Sequence, residues 1–265
     1  MYSATVLAKK YFRYFLTASN GKGHGTHSPF VFDFIKLVKN DPEKYPCYPA
    51  IELLRKQLLK DKNVIEVEDF GAGSTVIKTN RRAIHKMAQS SLKPKRFAQL
   101  LFRMVKFYQP QTIVELGTSF GITSAYLACG NRSAHLYTLE GAASIAGIAR
   151  KNFNALQLDN IKLIEGDFKT TLPPLLSSLD KIDFAFVDGN HKKIPTLQYF
   201  DLLLQQSHEK TILVFDDIHW SKEMEEAWDI ICRHSAVTLS IDLFFIGIVF
   251  LRKDFKVKQH FSVRF

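Results

Sequence analysis

The chain has 265 residues, 46% of them hydrophobic and 23% charged, with a formal net charge of +10. That length buries a full core as one large domain, or as one domain with an extension. The balance excludes a disordered chain, and no apolar run reaches the roughly 18 residues of a membrane-spanning helix. Three cysteines, Cys47, Cys129 and Cys232, lie far apart without a C-x-x-C pair, so they read as thiols of a reducing, cytoplasmic compartment rather than a disulfide framework.

The first acid in the chain is Asp33, so residues 2–17 form a basic amphipathic stretch. Lys9, Lys10 and Arg13 interrupt it too often for a signal peptide. It predicts a helix that docks on the core or on a second copy, with membrane-surface attachment as the alternative. A glycine-rich loop over 21–27 carries His24 and His27, a weak metal signal without a partner carboxylate or cysteine at ligand spacing. Ser28 and Pro29 then suit an N-cap and first position, predicting a helix over 30–39 with Phe30, Phe34 and Leu37 on one face. The segment 68–74, Glu-Asp-Phe-Gly-Ala-Gly-Ser, pairs an acid with a glycine turn. No apolar strand ending in an acid follows it, so it reads as a loop, or a lid if it reaches a ligand.

From residue 94 the chain alternates regularly: helix 95–108, strand 111–116, helix 121–129, strand 134–139, helix 143–156, strand 161–165, and a short helix near 170–178. Strand 182–187, helix 194–207, strand 211–215 and helix 220–233 continue the rhythm, and two consecutive strands, 237–243 and 245–252, end it. Such alternation requires a mostly parallel sheet with helices on both faces, closed by an antiparallel hairpin. The organisation predicted is an N-terminal helical extension over 1–92 and an α/β domain over 93–265. The fold class is a doubly wound, mostly parallel, seven-stranded Rossmann-like sheet.

Ligands of such sheets lie beyond the carboxyl ends of the strands. There the chain places Glu115, Glu140, Asp167, Asp188, Asp216 and Asp217. Twenty-three residues separate Gly117 from Glu140, close to the ~20-residue offset at which an acid meets a ribose hydroxyl. Gly117 and Gly121 let a ligand approach the backbone. A dinucleotide fingerprint would carry glycine two positions before Gly117, but Glu115 stands there. Its charge disfavours a diphosphate and favours an ammonium or sulfonium, unless it only accepts hydrogen bonds from the turn.

The motif Glu115-Leu-Gly-Thr-Ser-Phe-Gly121, with Glu140, resembles the first two motifs of class I S-adenosylmethionine-dependent methyltransferases. The stretches 160–168, 181–191 and 211–220 resemble their third, fourth and fifth strands, and the nearest group is the catechol and caffeoyl-CoA type of small-molecule O-methyltransferases. The resemblance implies S-adenosylmethionine as cofactor. Gly117, Thr118, Ser119 and Gly121 would then border its methionine part, Glu115 its ammonium, Glu140 its ribose and Asp167 with Phe168 its adenine. The catechol-type metal ligands, an Asp and an Asp-Asn pair, correspond to Asp188 and Asp216-Asp217 here, with Asp in place of Asn. Either these hold Mg²⁺ or another divalent cation, or Asp188 touches the cofactor and the other two cap the next helix. His191 stands where those enzymes carry a catalytic lysine, three residues after Asp188, and a histidine removes a hydroxyl proton near neutral pH. His219 and Trp220 follow the fifth strand, toward an acceptor pocket.

The expected function is methyl transfer to an oxygen of a small molecule, anionic if the basic charge selects it. An RNA-modifying methyltransferase, a nucleotide-dependent oxidoreductase and a non-catalytic binding protein on the same fold remain as alternatives. The basic residues are spread along the chain and no RNA-binding signature is present, which argues against nucleic acid without excluding it. A homodimer is compatible with the N-terminal helix.

Overall fold

A computed structural model describes residues 1–23, 27–67 and 80–265. His24 and the glycine loop at 68–74 lie outside the described residues. The chain divides into two compact units, one built from Met1–Asp41 and Leu179–Phe265, the other from Pro42–Ser178.

The first unit opens with α1 (Ala4–Thr17), whose N-cap Ser3 accepts from the Val6 N–H. It buries Tyr14 and packs Leu7 and Tyr11 against Phe244 and Phe245, leaving Phe12, Phe15 and Leu16 exposed. α1 therefore docks on its own unit. α2 (Pro29–Asp33) starts on Pro29, although Ser28 makes no side-chain cap hydrogen bond. The chain then widens into a π-helix over Phe34–Lys39, closed by the Asn40 N–H donating to the Ile35 carbonyl five residues back. The wider winding shifts the buried face to Phe34, Ile35 and Val38. Leu37, expected inside with Phe34, consequently points to solvent.

The second unit follows without interruption: α3 (Tyr48–Leu58), β1 (Val64–Glu66), β2 (Arg81–Ala83), α4 (Ile84–Ser91), α5 (Lys95–Tyr108), β3 (Thr112–Leu116), α6 (Ile122–Gly130), β4 (His135–Glu140), α7 (Ala143–Ala155), β5 (Ile161–Glu165) and α8 (Phe168–Ser177). β3, β4 and β5 run parallel in that order, and β1 pairs with β2 antiparallel. Buried apolar residues along β3 and all round α6 are what a parallel sheet covered by helices demands.

The first unit resumes with β6 (Ile182–Val187), α9 (Lys193–Gln205), β7 (Ser207–Asp216), α10 (Lys222–Arg233), β8 (Leu239–Asp242), β9 (Ile246–Phe250) and β10 (Gln259–Ser262). Its strand order is β10-β8-β9-β7-β6, with β6–β7 and β8–β10 parallel and β9 antiparallel to both β7 and β8. The expected hairpin is therefore present, and β10 is an eighth main strand beyond the seven expected. Its half-exposed Gln-His-Phe-Ser carries no apolar alternation, and pairing with β8 is what makes it a strand. Pair by pair, the eight strands are mostly parallel.

His219, just past β7, knits this unit together. Its Nδ1 lies 3.0 Å from Glu225 Oε1 and its Nε2 2.8 Å from Asp242 Oδ2, while the ring stacks on Phe244. Glu225 also accepts from the Tyr2 hydroxyl at 2.7 Å and from Lys10 Nζ at 3.0 Å, which anchors α1. Burial opposes charge on His219, but hydrogen bonds from its ring to Asp242 and Glu225 prevail and raise its pKa. A raised folded-state pKa stabilises fully below the unfolded value near 6.5 and loses that contribution as pH climbs through the folded value. Urea midpoints of the wild type are therefore expected to fall between pH 6 and pH 9 more steeply than those of His219→Gln. Parallel pH profiles for the two proteins would remove His219 from this role.

Candidate active site

In the second unit, the strand-to-helix turn between β3 and α6 holds three residues at positive φ: Gly117 at +102°, Ser119 at +49° and Gly121 at +80°. The Gly117 and Thr118 N–H groups both donate to the Leu139 carbonyl, at 3.0 and 3.1 Å, which pins the turn to the end of β4. Gly121 has a second constraint, because a Cβ there would lie 2.4 Å from the Phe153 ring of α7.

Glu140 closes the turn from the neighbouring strand. One of its carboxylate oxygens accepts the Ser119 N–H at 2.8 Å and the other the Ala142 N–H at 3.0 Å. Burial pushes the Glu140 carboxyl above its ordinary value, while the N–H groups of Ala142, Ser119 and Gly141 pull it back. Each carboxylate oxygen has two acceptor sites, so both retain capacity for hydroxyl donors.

Glu115 is 0% exposed, and its Oε2 accepts from Thr138 Oγ1 at 2.7 Å and from Ser124 Oγ. Thr138 in turn shares a 2.6 Å hydrogen bond with Thr118. The carboxylate thus joins β3, β4 and α6 through side-chain hydroxyls. Asp167 is the N-cap of α8, accepting from the Lys169 N–H at 3.0 Å, and half-buried Phe168 is the first residue of that helix.

Sequence reasoning missed Ser124 and Thr138, since hydroxyls scattered through a helix and a strand carry no periodic signal. It also missed Ser91, at the end of α4, whose Oγ lies 3.1 Å from Ser119 Oγ.

In the first unit, Asp188 follows β6 and Asp216 ends β7. Asp188, His191 and Asp216 each present a ligand atom, and the three atoms lie within 4.8 Å of one another. His191 Nε2 and Asp188 Oδ1 are 3.7 Å apart. The carboxylate pair anticipated as Asp216-Asp217 is divided here: among the described residues only Asp216 joins the cluster, and His191 completes it. Asp217 sits at φ +53° and donates its N–H to the Phe245 carbonyl at 2.6 Å. The cap of α10 is Ser221, which accepts from Met224 N–H, so neither aspartate serves as that cap. His219, expected toward an acceptor, commits both ring nitrogens to Glu225 and Asp242.

Residues 114–218 match a family model described as a methyltransferase domain. No curated protein matches the chain in sequence. Solved structures share its fold. An S-adenosylhomocysteine complex of an O-methyltransferase from Bacillus cereus is 17% identical, with a TM-score of 0.56 over 81% of this chain and 95% of that one. The S-adenosylhomocysteine-bound methyltransferase PaMTH1 from Podospora anserina is 15% identical, with a TM-score of 0.60 over 85% and 97%. TomG from Streptomyces achromogenes, an O-methyltransferase of tomaymycin synthesis in complex with S-adenosylmethionine, is 20% identical, with a TM-score of 0.53 over 61% and 82%. The chain therefore shares the Rossmann-like fold of these methyltransferase structures, and its residues 114–218 match the methyltransferase-domain model. Among the described residues no helix is long and apolar enough to cross a membrane.

Proposed function

We propose that this protein transfers the methyl group of S-adenosylmethionine to an oxygen of a small molecule. The observation that carries this reading is the β3–α6 turn held by the Glu140 carboxylate through Ser119 N–H. Gly117, Thr118, Ser119 and Gly121 would flank the methionine part, and the spare acceptor sites of Glu140 would take the ribose hydroxyls. Asp167 and Phe168 would face the adenine. Glu115 supplies negative charge behind the turn, which suits an ammonium and a sulfonium and opposes the diphosphate of a dinucleotide.

S-adenosylmethionine, when bound, supplies a methyl group on a cationic sulfur. The chain's own task is to hold the acceptor in line and take its hydroxyl proton. His191 is the group for that proton, with Asp188 beside it to orient the ring and to stabilise the imidazolium. Alternatively Asp188, His191 and Asp216 would hold a divalent cation, which lowers a bound hydroxyl's pKa. An imidazole in that donor set favours Mn²⁺ or Zn²⁺ over Mg²⁺. The excess of basic residues suits an anionic acceptor, and exposed Phe12, Phe15 and Leu16 suit a homodimer contact. We place the reaction in the cytoplasm, with residues 1–92 as an extension of the catalytic domain.

Calorimetric titration with S-adenosylhomocysteine, repeated with Mn²⁺, Mg²⁺ and a chelator, tests the cofactor and the metal separately. Micromolar affinity, about 8 kcal/mol, is expected. Glu140→Ala is expected to weaken it by roughly ten- to a hundredfold, as loss of hydrogen bonds to a charged group does. Absence of binding in all three conditions would sink the methyltransferase reading.

A further inference from the structure

Arg55, on α3 of the second unit, is only 8% exposed, a burial that a permanently charged side chain accepts when its donors are engaged. Its Nε donates to Glu52 Oε1 at 3.1 Å and its Nη1 to the Lys93 carbonyl at 2.8 Å. Glu52 Oε1 also accepts from the Tyr126 hydroxyl of α6 at 2.8 Å. Just before Lys93, the exposed Ser91 ends α4, and its hydroxyl shares the 3.1 Å hydrogen bond with Ser119 in the β3–α6 turn. The contacts close a ring: from the turn into α6, through Tyr126, Glu52 and Arg55 to residues 91–93, and back to the turn. From this ring we infer that Arg55 is a positioning residue for the β3–α6 turn, holding residues 91–93 where the Ser91 hydroxyl fixes Ser119. The inference rests on the reading of that turn as the one that receives the cofactor.

Ser119 is the residue that the ring restrains. It stands at φ +49°, a conformation that a residue with a side chain keeps only when its surroundings impose it. Its N–H goes to Glu140 and its hydroxyl to Ser91, so backbone and side chain are both held. Ser91 reaches it from an exposed helix end, the part of a helix that frays most readily. What steadies that end is the Lys93 carbonyl, and a guanidinium suits the task because its planar fork serves Glu52 and the carbonyl together. A lysine at position 55 would keep the charge but present a single nitrogen without that fork. A turn fixed in this way before its ligand arrives spares the ligand the cost of ordering it.

Two readouts on the full chain test this: amide hydrogen exchange at Ser119 in the free protein, and calorimetric affinity for S-adenosylhomocysteine. In Ser91→Ala, exchange at Ser119 is expected to speed up by roughly tenfold while amides in the middle of β3 keep the wild-type rate. Affinity should fall about three- to tenfold, as loss of one neutral hydrogen bond does, and Ser91→Thr, which keeps the hydroxyl, should restore both readouts. Arg55→Lys is expected to reproduce the Ser91→Ala pattern, and adding Ser91→Ala to it should change affinity by less than about twofold, since the two residues act along one path. Tyr126→Phe, which keeps the buried ring and drops only the hydroxyl, opens the ring at its α6 end and gives the same non-additive result if Arg55→Lys does not fold. Ser91→Ala effects that recur in full in the Arg55→Lys and Tyr126→Phe backgrounds overturn the inference. So does unchanged exchange at Ser119 in all three single variants. A wild type that binds no S-adenosylhomocysteine, with the exchange pattern as expected, sinks the methyltransferase reading instead and leaves Arg55 as the residue that positions the turn.

Discussion

Gly121→Val is expected to lower the melting temperature by roughly 5–15 °C and to weaken S-adenosylhomocysteine binding by at least about tenfold. Two penalties meet at this residue. At φ +80° a residue with a side chain costs about 1–2 kcal/mol, more when it is β-branched. Its Cβ would also sit 2.4 Å from the Phe153 ring, and relieving such overpacking costs about 1–3 kcal/mol more. Phe153 is buried against the start of α6, so the ring cannot yield without moving α7. Gly147→Ala, in the interior of α7, is the contrasting control. Nothing lies within 4 Å of its added methyl, and a gain of about 0.5–1 kcal/mol is expected from helix propensity. Calorimetric unfolding of the two variants beside the wild type checks both signs. A Gly121→Val protein as stable as Gly147→Ala would show that α7 is not fixed against the turn.

His191→Ala is expected to reduce kcat with an aromatic hydroxyl acceptor by about 10²–10⁴, the range for loss of a positioned proton acceptor. Its affinity for S-adenosylhomocysteine should stay within about threefold of the wild type, because His191 is proposed to act on the acceptor and not on the cofactor. Release of S-adenosylhomocysteine measures the first quantity and calorimetry the second. Asp188→Asn separates the two roles of the cluster. If His191 is the base and Asp188 orients it, the variant loses turnover whether or not metal is supplied. If the cluster holds a cation, excess Mn²⁺ restores much of the turnover. Unchanged kcat in His191→Ala would relieve His191 of proton transfer.

The parts of the site written in local backbone demands were readable from sequence. Gly117 and Gly121 occupy positive φ, and Glu140 ends the adjoining strand at the spacing a βαβ unit imposes. The strands β3, β6 and β9 announced themselves through apolar runs because both their faces are covered. Features made by distant pairing stayed hidden. β1 and β2 are three residues each and exist only through each other, and β10 exists only through β8. Along an extended chain successive side chains alternate, so Asp216 and Asp217 could not be assumed to point the same way from their adjacency alone. The turn at Asp217, φ +53°, has no residue-type signal, since an aspartate there is not a glycine.

The discontinuity of the first unit has a consequence for the order of events during synthesis. Tyr2 finds its partner Glu225 only 223 residues further along the chain, and Ser19 pairs with Val263. Pro42–Ser178 is contiguous and is translated whole before any of β6 to β10 exists. While the ribosome makes those later strands, α1 carries its aromatic face without the Phe244 and Phe245 surface that covers it. At 5–20 residues per second that interval lasts on the order of ten seconds or more. The nascent chain thus exposes Leu7, Tyr11 and Tyr14 early and long, which makes this helix the segment on which a cell's chaperones have the most time to act.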